Sequence, residues 1–400
     1  MSKLPYTCDV LIIGGGPAGL SAAAELRRLG VASVHVLDRE EETGGIPRHC
    51  AHSPYGFREF RRPMLGPAFA RALSDRARAS GAILHTRATA TEIKPGGIVA
   101  VSSPEGFASI TARAVLLATG VRESSRAARL LGGTKPAGVL NTGSLQGLVH
   151  LTRTRPFRRP VVVGTELVSF SALLTCRQAG IRPVAMVEPG ERLVARSPLR
   201  LLPAALGIPL RLATELTAIH GRDQVNSVTL SRGNVIEDVE CDGVLLTGKF
   251  RPENALLRTS HLQVDPHTLG PEIDPFGRCS DPTYFAAGNL LRAVETAGWC
   301  WSEGRAVARS IQRSLIGRLP DHPKERRLTI VGDGLAWALP QRSVDLDSEL
   351  AFNRLQLHVS RPVKGTLRVG SQSYSLNARP ERRIAVPLPP AQGDVVVEIV

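Results

Sequence analysis

Aromatic side chains make up only 4% of this 400-residue sequence, and acids are few beside bases, leaving a formal net charge of +14 carried almost entirely by arginine. The six cysteines, Cys8, Cys50, Cys176, Cys241, Cys279 and Cys300, are dispersed and never form C-x-x-C. That spacing excludes a zinc ribbon and a thioredoxin-like redox pair, and it points to a reducing cytoplasm. No apolar run reaches the ~18 residues of a membrane-spanning helix. This leaves room for peripheral association only. The first residues lack the basic, apolar and small-residue succession of a signal peptide. The bases are scattered and no nucleic-acid module is recognisable, so the charge speaks for solubility or an acidic protein partner rather than nucleic acid. No internal repeat or long low-complexity linker is visible.

What is present begins at Cys8. "CDVLIIGGGPAGLSAAAELRRLGVASVHVLDRE" predicts a strand at 10–13, a glycine turn, a helix at 17–29 and a second strand at 33–37. The fingerprint G-x-G-x-x-G falls on Gly14, Gly16 and Gly19. These glycines would allow a tight turn, approach of a diphosphate to the backbone, and close packing of helix on strand. The diphosphate would rest on the helix start at Pro17 and Ala18, where free N–H groups favour an anion. Asp38, followed by Arg39, ends the second strand where a carboxylate can accept ribose hydroxyls, which favours adenosine with a free 2′-OH.

Two later segments indicate which dinucleotide. "ARAVLLATGVRE" is a buried strand ending in Ala118, Thr119 and Gly120, and "DPTYFAAGNLLRAVETAGWCWSEGRAVARSI" is a strand, a Gly288-Asn289 turn and a long helix. Here the sequence resembles the FAD-binding half of the thioredoxin reductase-like flavoproteins. The resemblance implies FAD as cofactor, with A-T-G closing over it. It also implies that the distal turn holds the ribityl chain, through Asn289 where many relatives have Asp, and that the following helix, expected from about Val294, points its N-terminus at the flavin. Glu295 and Thr296 would occupy that helix's first turn.

The stretch "TGGIPRHCAHSPYG", 43–56, then has three readings. His49, Cys50 and His52 are too crowded to converge on one zinc and lack a second ligand pair, so no metal site is expected. Cys50 has no nearby partner for a disulfide, but His49 and Arg48 could activate it as a single redox cysteine. The third reading is a cofactor-lining loop, with Gly44 and Gly45 along the FAD, Arg48 neutralising phosphate or reduced-flavin charge, the histidines supplying hydrogen bonds and Cys50 as filler. The catalytic candidates are Arg48, His49, Cys50 and Glu295.

"RRPVVVGTELVSFSALLTCRQAGIRPVAMVE" repeats the order strand, turn, helix, strand where two-domain reductases place NAD(P)H. Its turn keeps one glycine, Gly164, and adds the side chains of Thr165 and Glu166. A negative charge there disfavours a diphosphate.

The strings "GGIPRHCAHSPYGFREFRRPMLGPAFARAL", "GTELVSFSALLT" and "GNLLRAVETAGWCWSEGR" together resemble the FAD subunits of dye-linked multi-subunit dehydrogenases: hydrogen cyanide synthase, opine oxidase, proline and hydroxyproline dehydrogenases, and the oxidoreductase associated with certain glycerol-3-phosphate dehydrogenases. The resemblance implies an electron-transferring subunit working with a partner flavoprotein dehydrogenase and an iron–sulfur protein. No cysteine follows Cys300, so a cluster on this chain is not expected. The competing readings are a self-sufficient NAD(P)H-dependent reductase and a flavin-bearing subunit without catalysis of its own. After about residue 324, period-two alternation broken by Gly and Pro predicts a small all-β module that serves for docking or as a cap. The expected fold is therefore α/β: two Rossmann-like domains, a discontinuous FAD domain at 1–155 and 281–320 and a degenerate NAD(P)-like domain at 156–280, plus a β domain at 325–400.

Overall fold

A computed structural model describes residues 4–195, 199–320, 327–342, 349–380, 382–389 and 394–400. Its first strand, Thr7–Ile13, buries Val10, Leu11 and Ile12 completely, as a strand covered on both faces must. Val34–Leu37 runs parallel on one side of it and the second half of Gly106–Leu117 on the other. Ile83–His85 and Tyr284–Ala286 extend this parallel layer outward. The first half of Gly106–Leu117 pairs antiparallel with Ile98–Ser103, which pairs with Thr89–Lys94. One long strand thus joins a parallel sheet to a meander.

Helix Pro17–Arg28 starts with proline at its first position, where no backbone donor is lost. It crosses helix Ala297–Leu315 at backbone contact. A Cβ on Gly304 would stand 2.1 Å from the Ala18 carbonyl oxygen. The Ser21 hydroxyl donates across the crossing to the Trp301 carbonyl, 2.8 Å away.

The second unit repeats this plan. Leu210–Arg211, Ala185–Val187, Pro160–Val163, Gly243–Leu246 and Val139–Asn141 form a parallel sheet in that order, and Glu215–Gly221, Val225–Arg232 and Val235–Glu240 form its meander. The chain passes between units through a two-stranded ribbon, Val121–Glu123 against Phe250–Pro252. The boundaries expected near 155 and 280 therefore move to this ribbon. Val139–Asn141 is hydrogen-bonded into the second sheet, whereas Leu257, Leu262, Ile273 and Cys279 are buried in the core of the first unit.

Beyond the long helix, Leu328–Val331, Val395–Ile399, Val363–Val369 and Gln372–Ala378 make one sheet, and Leu335–Leu339, Arg354–Val359 and Ile384–Pro387 another. Residues 325–326, 343–348, 381 and 390–393 of the expected β domain lie outside the described residues. The two sheets share their own apolar core. Trp337, Leu339 and Phe352 are instead buried in the core of the first unit. Arg292, fully buried, is paired with Glu303 on the long helix and donates to Gln356 Oε1 of the β domain at 3.1 Å.

Between strands Val34–Leu37 and Ile83–His85, two buried imidazoles stack, with His35 Nδ1 2.9 Å from His85 Nε2. Burial first, and the neighbouring ring second, hold His35 down from 6.5 to about 4. Below pH 6.5 the unfolded chain binds more protons than the folded one, so stability falls as pH drops from about 6.5 to about 4 and levels off below. Urea midpoints across this range are expected to show that slope, and His35→Gln to flatten it; an unchanged slope removes the assignment.

Candidate functional site

The first glycine turn is built from backbone contacts. The Gly14 N–H donates to the Leu37 carbonyl and the Ala118 N–H to the Ile13 carbonyl, tying three strand ends together. Gly14 has φ +113°, and a Cβ there would lie 2.3 Å from the Ala118 oxygen. A Cβ on Gly19 would lie 1.9 Å from the Gly14 oxygen, so helix and turn touch directly. At Gly16 a Cβ would meet nothing nearer than the Gly45 Cα, 4.0 Å away. The two glycine backbones face each other across a groove that side chains would fill. Gly16 caps the Pro17–Arg28 helix without a side-chain hydrogen bond, which leaves N–H groups at the helix start directed outward. Asp38 accepts from the N–H groups of Gly15 and Glu40, each at 2.9 Å, and burial raises its pKa. Arg39 is exposed, 3.8 Å from Glu253 and from Glu40. A diphosphate at Gly16 and a ribose at Asp38 fit these residues.

The loop after Asp38 returns to the turn, the Gly44 N–H donating to the Gly15 carbonyl at 2.7 Å. Arg48 lies on the Asp38 side, 3.9 Å from Glu40 and 3.7 Å from Glu42, with its Nε buried and making no hydrogen bond. His49 contacts Gln146, its pKa lowered by burial, and its Nδ1 is buried without a partner. The Cys50 thiol donates to Gln146 Oε1 at 3.2 Å and is pushed up to about 11 by burial. Burial thus works against a thiolate at Cys50, outweighing the hydrogen bond with Tyr55 that favours one. Gln146, on helix Thr142–His150 of the second unit, also donates to the Ser171 hydroxyl at 2.8 Å. It joins the loop to the second unit. One glutamine in a helix carries no sequence signal, and its role was not foreseeable.

On the far side, Thr119 donates to the Glu253 carbonyl, and the Glu253 N–H to the Gly120 carbonyl, so Ala118-Thr119-Gly120 is strapped to the returning ribbon. Gly288, at φ +78°, packs against Ala18; a Cβ would come within 2.9 Å of the alanine methyl. Asn289 uses its side chain internally. Its Nδ2 donates to the Glu295 carbonyl and its Oδ1 accepts from the Glu295 N–H. These two bonds close a 289–295 loop and leave the amide one further N–H and one further lone pair. The long helix starts at Ala297, with Thr296 as its cap, rather than near Val294. Glu295 therefore lies before the helix, 3.2 Å from Arg383 and 3.9 Å from Arg292, and not in its first turn. Burial raises its pKa against the pull of both arginines.

The second turn has the same backbone plan with different contents. The Gly164 N–H donates to the Val187 carbonyl and the Thr247 N–H to the Val163 carbonyl, matching Gly14 and Ala118. Thr165, fully buried, donates to Glu188 Oε2 at 2.5 Å and accepts from the Val194 N–H. Glu188 is the counterpart of Asp38, 24 residues beyond its glycine in each unit. Glu166 caps helix Leu167–Gln178, accepts from the Lys249 N–H at 3.3 Å, and crowds Gly248, where a Cβ would stand 1.0 Å from its Oε2. Arg129 donates to the Thr247 and Gly248 carbonyls and attracts Glu166. Glu123, also not foreseen, accepts from the N–H groups of Gly248 and Gly143 where the ribbon meets both units.

All six cysteines are free and buried. Among the described residues, no group of three or more His, Cys, Asp or Glu side chains is placed to hold a metal, and no helix is long and apolar enough to cross a membrane.

The chain is 32% identical over 200 residues to the A component of opine oxidase from Rhizobium meliloti (strain 1021), covering 50% of this chain and 42% of that one. It is 25% identical over 334 residues to the alpha chain of sarcosine oxidase from the same organism, covering 77% of this chain and 31% of the other. The chain thus spans less than half the length of either relative. The structure is similar to that of T. acidophilum thioredoxin reductase, with a TM-score of 0.65 and 21% identity over 78% of this chain and 100% of that one, a likeness of fold. The family model for pyridine nucleotide-disulphide oxidoreductases matches residues 8–304. With its two glycine-turn units joined by the 121–123 and 250–252 ribbon, this chain belongs to the pyridine nucleotide-disulphide oxidoreductase family of flavin oxidoreductases.

Proposed function

We propose that the chain is the FAD-bearing, electron-transferring subunit of a multi-subunit dehydrogenase whose substrate is an amine, imino acid or hydroxy compound. It would exchange electrons with an iron–sulfur protein and a partner flavoprotein instead of with NAD(P)H. The similarity to subunits named for opine and sarcosine oxidases supports the assembly. The observation that carries the reading is the second turn. Thr165 and Glu166 put side chains into it, Glu188 is already satisfied, and the Glu166 carboxylate lies against Gly248 and the Lys249 N–H beside the helix start that an anion would need. Unpaired cysteines fit both a reducing cytoplasm and the absence of disulfide chemistry.

Bound FAD would supply reversible electron transfer. The groove at Gly14, Gly16, Gly19 and Gly45 would take its diphosphate, with Pro17 and Ala18 opening the helix behind it. Asp38 would take the adenosine ribose, and Arg48, held on that side by Glu40 and Glu42, would neutralise phosphate charge. The uncapped helix start at Thr296 supplies partial positive charge by the dipole. His49 offers a buried Nδ1 beside the loop, kept neutral by burial, as a hydrogen-bonding partner for the cofactor.

The purified protein is expected to carry or take up FAD, identified by its released flavin. Under anaerobic conditions dithionite should bleach its visible spectrum while NADH and NADPH leave it unchanged. Rapid bleaching by either nucleotide would assign the chain instead as a self-sufficient reductase.

Opening the second turn should reverse this refusal in part. Replacing Thr165 and Glu166 together by glycine is expected to tighten NADH binding by about tenfold or more, the effect of removing one carboxylate and two side chains from a helix start. Equilibrium titration of the double variant against the parent checks it, and equal affinities would show that the turn is not what excludes the nucleotide.

A further inference from the structure

The segment SPYGFREFRRPML, 53–65, meets the 294–299 loop on a face that the site's own chemistry does not use. Ile46, Phe57, Leu65 and Val294 are each more than half exposed, and Trp299 37%. Gly66 lies so close to the Pro47 and Cys50 carbonyls that a Cβ would stand 2.5 and 2.2 Å from them, so the end of this segment packs on the 46–50 turn. The guanidinium of Arg58 lies 4.1 Å from the centre of the Trp299 ring and that of Arg383 lies 4.2 Å from it. Two cations that near one ring centre must take opposite faces, so the indole is clamped upright between the first unit and the β domain.

Charge sets the character of this face. Arg58, Arg61 and Arg62 are exposed, and none makes an ion pair or side-chain hydrogen bond among the described residues. Glu59, the one acid in the segment, is buried, and the neighbouring Glu295 is engaged by Arg383 and Arg292. Phe57, Leu65 and Trp299 thus form an apolar centre flanked by Arg61 and Arg62, which no carboxylate of the described residues engages, and by Arg58, which attracts the buried Glu59 and stacks on Trp299. Aromatic residues and arginine are the residue types enriched at protein interfaces, and the arginine fork matches a carboxylate in two hydrogen bonds.

We infer that this face docks a redox protein whose surface presents carboxylates around an apolar centre. The inference rests on the reading that electrons pass to or from a protein partner, and it names where that partner sits. The face borders the Thr296 helix start and the 46–52 loop, so a protein bound there covers the entrance to the site. A protein occupant is favoured over an anionic membrane surface, because the only helix in the segment, Phe57–Phe60, is a single turn and offers no extended amphipathic face to lie in a bilayer.

Flavodoxin, an acidic electron carrier, serves as the probe and cytochrome c, which is basic, as its opposite. The FAD-loaded full chain is expected to bind flavodoxin at low salt and not cytochrome c, with hydrogen exchange slowed at 53–65 and 294–299. Arg61→Ser with Arg62→Ser, which leaves the Arg58 and Trp299 stack intact, should weaken binding about tenfold or more and flatten its salt dependence. Phe57→Ser should weaken binding while keeping the salt dependence. Absence of flavodoxin binding, binding indifferent to the arginine pair, or protection confined to other segments would overturn the inference. Sedimentation with phosphatidylglycerol vesicles that is lost in the arginine variant, without flavodoxin binding, would assign the face to a membrane instead. The two readings fail separately. Reduction by NADH would sink the relay while arginine-dependent docking stood, and a protein refractory to NADH whose docking ignores the arginines would lose only this surface.

Discussion

Backbone meeting backbone without an intervening side chain is the constraint on which the site depends. The Gly14 oxygen against Gly19, the Ala118 oxygen against Gly14 and the Ala18 oxygen against Gly304 are three contacts at distances that no Cβ tolerates. They bring the ends of three strands, the start of one helix and the middle of another into one place. Overpacking a core typically costs about 1–3 kcal/mol even when a side chain can move aside, and here the obstacle is backbone.

The two glycine-turn units show how one backbone plan can hold opposite contents. In each, a glycine N–H bonds to the end of the next strand, a returning strand bonds beside it, and an acid follows 24 residues after the glycine. In the first unit the acid is held by backbone N–H groups and two glycines leave the groove free of side chains. In the second, Thr165 takes one oxygen of the acid and Glu166 stands at the helix start, with Lys249 and Arg129 compensating it. Glu188 and one oxygen of Glu166 are thereby bonded from within the unit, while Glu166 Oε2 stays buried without a hydrogen bond.

The β domain is more than an appendage. It contributes Trp337, Leu339 and Phe352 to the core of the first unit, Gln356 to the buried Arg292 and Glu303 pair, and Arg383 to both Glu295 and Trp299. A buried pair of this kind stabilises weakly but is costly to break on one side. It therefore fixes the position of the β domain against the loop that leads into the long helix.

Local patterns were enough to specify the α/β plan and the all-β module, which rest on side-chain period and on glycines at fixed spacing. The domain boundaries were not legible, because strand 139–141 and the 253–287 segment take their membership from hydrogen bonds and burial across the chain. The matching backbone bonds of the two turns were equally hidden, since they do not require matching residues. The fate of individual side chains was settled by packing. Burial raises the Cys50 thiol, a loop closure engages the amide of Asn289, and a later helix start moves Glu295 out of the first turn. Gln146, Glu123 and the His35 and His85 pair gain their roles from partners far along the chain. A side chain's reactivity follows from its desolvation and its neighbours, and both are properties of the packed molecule.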